Sequence, residues 1–307
     1  MQIAWWKYLA AAVFGLIPTA VFMSRAAGME TTAAVPDLSG HWARQYIGFE
    51  PPLSGPGPII NRSRLLGQSN LNEFVGDYTN PILKPQAAEI VKRQGELELK
   101  GLVAPNPSNQ CLPMSPPYIL QRQEIQVLQQ NNRITIIYAE DQQTRRVRLN
   151  SEHPARIIPS WYGDSIGHFE GDTLVVDTVG IKVGPHSMVD SYGTPYSEAL
   201  HVIERYRLID YATGLAAAER SERENRRLAP DNIAAGNGVA IDADYRGKAL
   251  QVEFKVEDPN VFTTPWSAIT TYWHASAEWV ERVCAENVDA YYAGLNTAVP
   301  IAGRPDF

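Results

Sequence analysis

Residues 249–257 read Ala-Leu-Gln-Val-Glu-Phe-Lys-Val-Glu, and this alternation constrains the chain more than any other feature. Leu250, Val252, Phe254 and Val256 fall on one side of an extended segment. Gln251, Glu253, Lys255 and Glu257 fall on the other, because successive strand side chains point to opposite faces. A strand with one oily and one wet face belongs to an antiparallel sheet that covers a core on one side. The rhythm recurs in residues 133–140, where Ile134, Ile136 and Tyr138 share a face, and in residues 144–150, 201–209 and 267–274. Residues 173–178, rich in β-branched side chains, follow the turn signal Glu170-Gly171-Asp172. Many strands joined by turns predict a mainly β fold: an antiparallel meander that closes into a barrel or a strongly curved sheet.

Two segments break this rhythm. Residues 81–99 space Ala87, Ile90 and Val91 for one helix face, with Gly95 expected to end or weaken the helix, so a helical segment is expected before the barrel. Residues 211–238 read as a helical insertion whose Arg220, Arg223, Arg226 and Arg227 alternate with Glu219, Glu222 and Glu224. Mixed signs at these spacings describe a solvated helix face. The whole chain carries 27 Lys and Arg against 34 Asp and Glu, a net charge of −7, which argues against nucleic acid as a partner. We expect one domain over residues 37–295, a linker at 29–36 and a surface tail at 296–307.

Lys7 precedes an apolar run over residues 8–23, followed by Ser24, Ala26, Ala27 and Gly28. A basic start, an apolar stretch and small residues afterwards predict a signal peptide or an uncleaved signal anchor within residues 1–28. The expected location is periplasmic or extracellular, with an inner-membrane anchor and membrane contact only where that segment is retained. The chain has two cysteines, Cys111 and Cys284. An even count in an oxidising compartment predicts a disulfide between them.

Three stretches carry a likeness to other proteins. They are Asn109-Gln110-Cys111-Leu112-Pro113, the run from Pro159-Ser160-Trp161-Tyr162-Gly163-Asp164 through His168 to Asp177-Thr178, and Leu200-His201-Val202-Ile203-Glu204-Arg205-Tyr206. With Thr264-Pro265-Trp266 and Val283-Cys284-Ala285-Glu286-Asn287, they resemble a family of exported bacterial proteins found in proteobacteria and acidobacteria. The resemblance covers nearly the whole chain after the export segment and implies export, without an activity. Separately, Asp37-Leu38-Ser39-Gly40-His41-Trp42 is similar to the Gly-x-Trp opening of lipocalin-like barrels.

The candidate site residues are those that alternation turns inward or that cluster in short polar stretches. Glu204 shares a face with Val202, Tyr206 and Leu208, so an inward-facing strand buries its carboxylate. Arg145, on a face with Val147 and Leu149, is a suitable partner. The alternatives are an acid–base or ligand-anchoring role, an ion pair that ties strands together, and a reversed register that leaves Glu204 exposed. Residues 161–168 place Trp161, Tyr162, Asp164 and His168 in what reads as a short irregular stretch, where Asp164 can orient His168 for proton transfer. Asp164, His168 and Glu204 are the catalytic candidates; Trp161, Tyr162, Arg145, His186, His201 and Tyr206 are the ligand-binding ones. No zinc-type spacing and no haem motif is present, so no metal and no cofactor is expected. Gly163-Asp164-Ser165-Ile166-Gly167 fits the pattern of a hydrolase nucleophile elbow, but it leads into a strand where that elbow opens a helix. The expected function is a barrel protein that holds a small, partly apolar molecule in its interior. The alternative is a cofactor-independent lyase, hydratase or isomerase in the same cavity.

Overall fold

The computed structural model describes residues 35–44, 48–62, 74–102, 104–122, 124–228, 241–277, 279, 281 and 284. The expected export segment, the surface tail, most of the linker and the end of the helical insertion lie outside the described residues. Among the described residues, no helix is long and apolar enough to cross a membrane.

Nine strands close into one barrel in chain order: β1 (Gly40–Ala43), β2 (Glu124–Gln130), β3 (Arg133–Tyr138), β4 (Thr144–Leu149), β5 (Asp164–Glu170), β6 (Thr173–Val179), β7 (His201–Ile209), β8 (Ala249–Glu257) and β9 (Trp266–His274). The barrel agrees with the alternation in the sequence. Strands β1 and β2 are additions to that reading. So is β5, since Asp164 to His168 read as irregular loop and instead pair with β6 across the Gly171-Asp172 turn.

A closed ring of nine strands cannot be antiparallel throughout, because chain direction would reverse nine times and still have to match itself. One neighbouring pair must run parallel. That pair is β4–β5, with Val147 opposite Ser165 and Leu149 opposite Gly167. The other neighbours are antiparallel, so the expected meander is corrected at this one junction. Parallel neighbours need a crossover of a dozen or more residues, and residues 150–163 supply 14. This crossover enters β5 through Gly163, whose φ is +67° and where an added Cβ would lie 2.5 Å from the Val179 carbonyl oxygen. Only glycine tolerates both conditions. The Gly-x-Trp opening does head the first strand, with Trp42 Nε1 donating to the Leu38 carbonyl at 3.0 Å. Nine strands and a parallel pair nevertheless separate this barrel from the eight-stranded up-and-down lipocalin pattern.

The inward faces carry Val127, Ile134, Val147, Val176, Val202, Val252, Phe254, Trp266 and Tyr272, all buried. Each such side chain contributes about 1.5–3 kcal/mol relative to exposure. A ring of this size is little wider than the eight-stranded barrel that side chains alone can fill. Ile119 and Leu120, from the turn Tyr118–Gln121, add to that filling. The core therefore occupies the interior where a ligand was expected.

Helix α1 (Pro85–Leu99) lies in the chain between β1 and β2, so the helical segment is inserted into the barrel order and does not precede it. Proline in the first turn starts it at no hydrogen-bond cost. Its buried positions are Ala87, Val91 and Gly95, while Ile90 is 38% exposed. Gly95 does not end the helix: a Cβ there would lie 2.8 Å from Val75 Cγ1, so glycine permits a close approach. Helix α2 (Tyr211–Leu228) packs on the outer faces of β8 and β9. A Cβ at Gly214 would come within 2.8 Å of the Trp273 ring and 3.1 Å of Ala249. The Cys111–Cys284 disulfide joins the loop before β2 to the segment after β9. The narrowest junction of the ring is that of β1 and β9, which match only at Trp42–His274 and Ala43–Trp273.

Candidate functional site

Arg145 and Glu204 meet inside the barrel, as an inward-facing register of both strands allows. Arg145 is 1% exposed and Glu204 0%. The guanidinium forks onto the carboxylate, Nη1 donating to Oε1 at 2.9 Å and Nη2 to Oε2. Arg145 Nε donates to Ser165 Oγ at 3.1 Å, and Nη2 also donates to Thr178 Oγ1 at 2.6 Å. The Tyr206 hydroxyl donates to Glu204 Oε1 at 3.0 Å. Burial alone would favour a neutral Arg145, yet the adjoining carboxylate outweighs it and holds the guanidinium charged well above its usual range. Burial, then the Glu204 charge, pushes the Tyr206 phenol far up. Both partners of the fork face each other and a ring of hydroxyls, with large side chains packed around them. This is the geometry of the strand-tying ion pair among the alternatives. Ser165 belongs to that ring as a buried strand residue, so it forms no nucleophile elbow.

The other catalytic candidates stand on the opposite face of the wall. His168 points outward with its side chain 56% exposed and pairs with Glu170 at 3.2 Å. Asp164 does not orient it. Asp164 receives both Nη atoms of Arg148, at 2.6 and 2.9 Å, and lies 2.6 Å from His153 Nδ1. The Arg148 hydrogen bonds hold the Asp164 carboxyl below the usual carboxylate range. His153 and His201 both approach Asp177 Oδ1, at 3.4 and 2.8 Å, and His201 also faces Glu257 at 3.8 Å. These residues form a stripe of alternating acidic and basic side chains across the outside of β4 to β8. The crossover's His153 is part of it, and the stripe fastens the crossover to the wall. Glu204, Asp164 and His168 therefore share no site.

The remaining candidates are spread over the wall and its connections. Tyr162 stacks on Tyr138 with ring centroids 6.2 Å apart, and its hydroxyl donates to Gln143. Trp161 lies under the Lys182 ammonium, 4.9 Å from its ring. Tyr206 is in the interior, and His186 is partly buried in the β6–β7 connection. Among the described residues, no group of three or more His, Cys, Asp or Glu side chains is placed to hold a metal ion.

A cavity of about 220 Å³ lies elsewhere, between α2 and the outer face of β9. Its aromatic wall is Trp273, Tyr211 and Tyr245. Tyr211 meets Trp273 edge-on at 5.6 Å, and Tyr245 stacks on His274 at 4.8 Å. Tyr211, Leu215 and Ala218 line it from one helix face, with Leu215 41% exposed at the rim. The residues 241–246 close another side, anchored to β9 by Asp242 N donating to the His274 carbonyl at 2.9 Å. At the floor are Arg44 and Glu50, 3% and 4% exposed, with Arg44 Nη2 3.7 Å from Glu50 Oε1. Glu50 accepts hydrogen bonds from the Thr271 amide at 2.9 Å and hydroxyl at 3.0 Å. Arg44 Nη1 donates to the Leu120 carbonyl at 3.1 Å. Burial pushes the Glu50 carboxyl above the usual carboxylate range; the Arg44 charge and the Thr271 hydrogen bonds oppose that shift without cancelling it.

Sequence reasoning missed this site because its parts come from three distant stretches: residues 44–50, 211–221 and 241–273. The one legible trace was the spacing of Tyr211, Leu215 and Ala218, an apolar helix face within a charged insertion. Comparison with protein-family models, with curated proteins and with solved structures finds no match for the chain.

Proposed function

We propose that the protein is an exported binding protein for a small, partly apolar molecule, and that this molecule occupies the cavity between α2 and β9. The observation that carries the reading is the cavity itself: an aromatic wall over a buried charged pair, set outside a barrel whose interior is filled. Ligand sites combine apolar lining with a few converging polar groups in this way. At about 220 Å³ the space is smaller than a drug-sized pocket and suits a molecule with a single ring. Export is supported by the Cys111–Cys284 disulfide and by the apolar N-terminal run after Lys7. Membership of the exported bacterial family that the motifs resemble is part of the same reading.

Mass spectrometry of small molecules extracted from the natively exported protein tests it. A compound of this size should copurify with the wild-type chain and be lost from Trp273→Ala. Retention by that variant would move the ligand elsewhere. No copurifying compound, together with no rise in Tm across a set of single-ring aromatic compounds, would overturn the binding reading.

A further inference from the structure

The floor of the cavity specifies the head of whatever binds there. Arg44 can only donate hydrogen bonds and an ionised Glu50 can only accept them. They stand 3.7 Å apart, beyond direct hydrogen-bond reach but close enough for one small polar group to touch both. Among the described residues, Arg44 donates one hydrogen bond, to Leu120, and Glu50 accepts two, both from Thr271. A guanidinium carries five N–H donors and a carboxylate about four acceptor positions, and both side chains line the cavity. The rim repeats the balance with Arg246 and Asp242, while Arg220 adds a weaker positive contribution near Glu50.

This balance discriminates between kinds of ligand. A carboxylate head would pair with Arg44 and leave Glu50 facing a like charge in a buried place; an ammonium head would do the reverse to Arg44. Leaving one member of a buried pair uncompensated is the costly case. A zwitterion satisfies both but must shed the hydration of two charges. A neutral group with an acceptor and a donor on neighbouring atoms satisfies both and sheds none.

We infer, building on the binding reading above, that the ligand is a small cyclic or aromatic carboxamide or lactam. Its carbonyl accepts from Arg44, its N–H donates to Glu50, and its ring lies against Trp273, Tyr211 and Tyr245. Titration calorimetry of the wild-type protein at pH 7 tests this with five probes that share a benzene ring: benzamide, acetophenone, benzoate, benzylamine and L-phenylalanine. Benzamide should bind about tenfold more tightly than acetophenone, which lacks the donor, since one hydrogen bond to a charged group is worth about 1.4 kcal/mol. It should also exceed the three charged probes. In Glu50→Met, benzamide and acetophenone should become equal; should that variant not fold, the wild-type series decides alone. Equal or tighter binding of acetophenone, benzoate, benzylamine or L-phenylalanine overturns the head-group inference and leaves the cavity as a binding site. Failure of all five to bind overturns the cavity reading beneath it.

Discussion

The Arg145–Glu204 pair makes a quantitative claim about how the barrel interior is held. Replacing Glu204 by Met leaves a guanidinium that is 1% exposed with its two hydrogen bonds to the carboxylate gone. Replacing Arg145 by Met leaves a carboxylate that is 0% exposed with only the Tyr206 hydroxyl donating to it among the bonds described above. Stranding either charge in the interior costs about 3–5 kcal/mol. Removing both together is a different perturbation. Ser165 and Thr178 keep their mutual hydrogen bond at 3.0 Å, and the Tyr206 hydroxyl alone loses its acceptor. That loss costs about 1–3 kcal/mol. The double variant should therefore be more stable than either single one, with a coupling of at least about 3 kcal/mol between the sites. Urea unfolding followed by tryptophan fluorescence, with the disulfide intact and the slope of the transition unchanged, measures all four proteins. If the two single losses simply add in the double variant, the charges do not stabilise one another and the interior is held by its apolar packing alone.

Two further outcomes follow from buried groups away from that pair. Asp190 is 1% exposed, and burial raises its carboxyl from 3.8 to about 6 against the amide hydrogen bonds from Tyr192 and Thr194. The folded chain thus holds this proton more tightly than the unfolded one. Its contribution to stability is complete below pH 4 and is lost as pH rises through 6, about 3 kcal/mol in all. Asp190→Asn should gain that amount relative to wild type between pH 4 and pH 7 in the same urea assay; a constant difference across this range would contradict the assignment. Cys111 and Cys284 close a loop with a sequence separation of 173, so reduction should lower stability by about 2–5 kcal/mol. Thiol titration of the unfolded, unreduced chain should find no free thiol, and two would refute the bond.

Much of the barrel was legible where strands alternate cleanly. Val202, Glu204, Tyr206 and Leu208 on β7, and Arg145, Val147 and Leu149 on β4, showed two faces that could turn inward together and Arg145 as a possible partner for Glu204. Strand β2 escaped notice because its inward series Ile125, Val127 and Gln129 ends in a polar residue. Gln129 is spent on the incoming chain, its Oε1 accepting from Leu38 N and its Nε2 donating to the Pro36 carbonyl, both at 3.0 Å. Strand β1 is only four residues long and too short to show a period. The site went unseen for another reason. Alternation reports which face of a strand is covered, and Trp273 and Thr271 are on the outer face of β9, where covering depends on the path of a distant helix. No local pattern near Arg44 or Glu50 records where that helix travels. His168 misled for the converse reason: Asp164 and His168 are near in sequence and on one face of β5, but the crossover delivers His153 and β4 delivers Arg148 to Asp164 first.

The odd strand number limits how such a ring can change over evolutionary time. Gaining or losing a single strand flips the parity, so the survivor must either acquire another long return or surrender the one between β4 and β5. Chain length can be added cheaply only in the connections, and the two longest of these carry α1 and α2. The cavity under α2 can then diverge in shape and lining without disturbing the hoop that bears it.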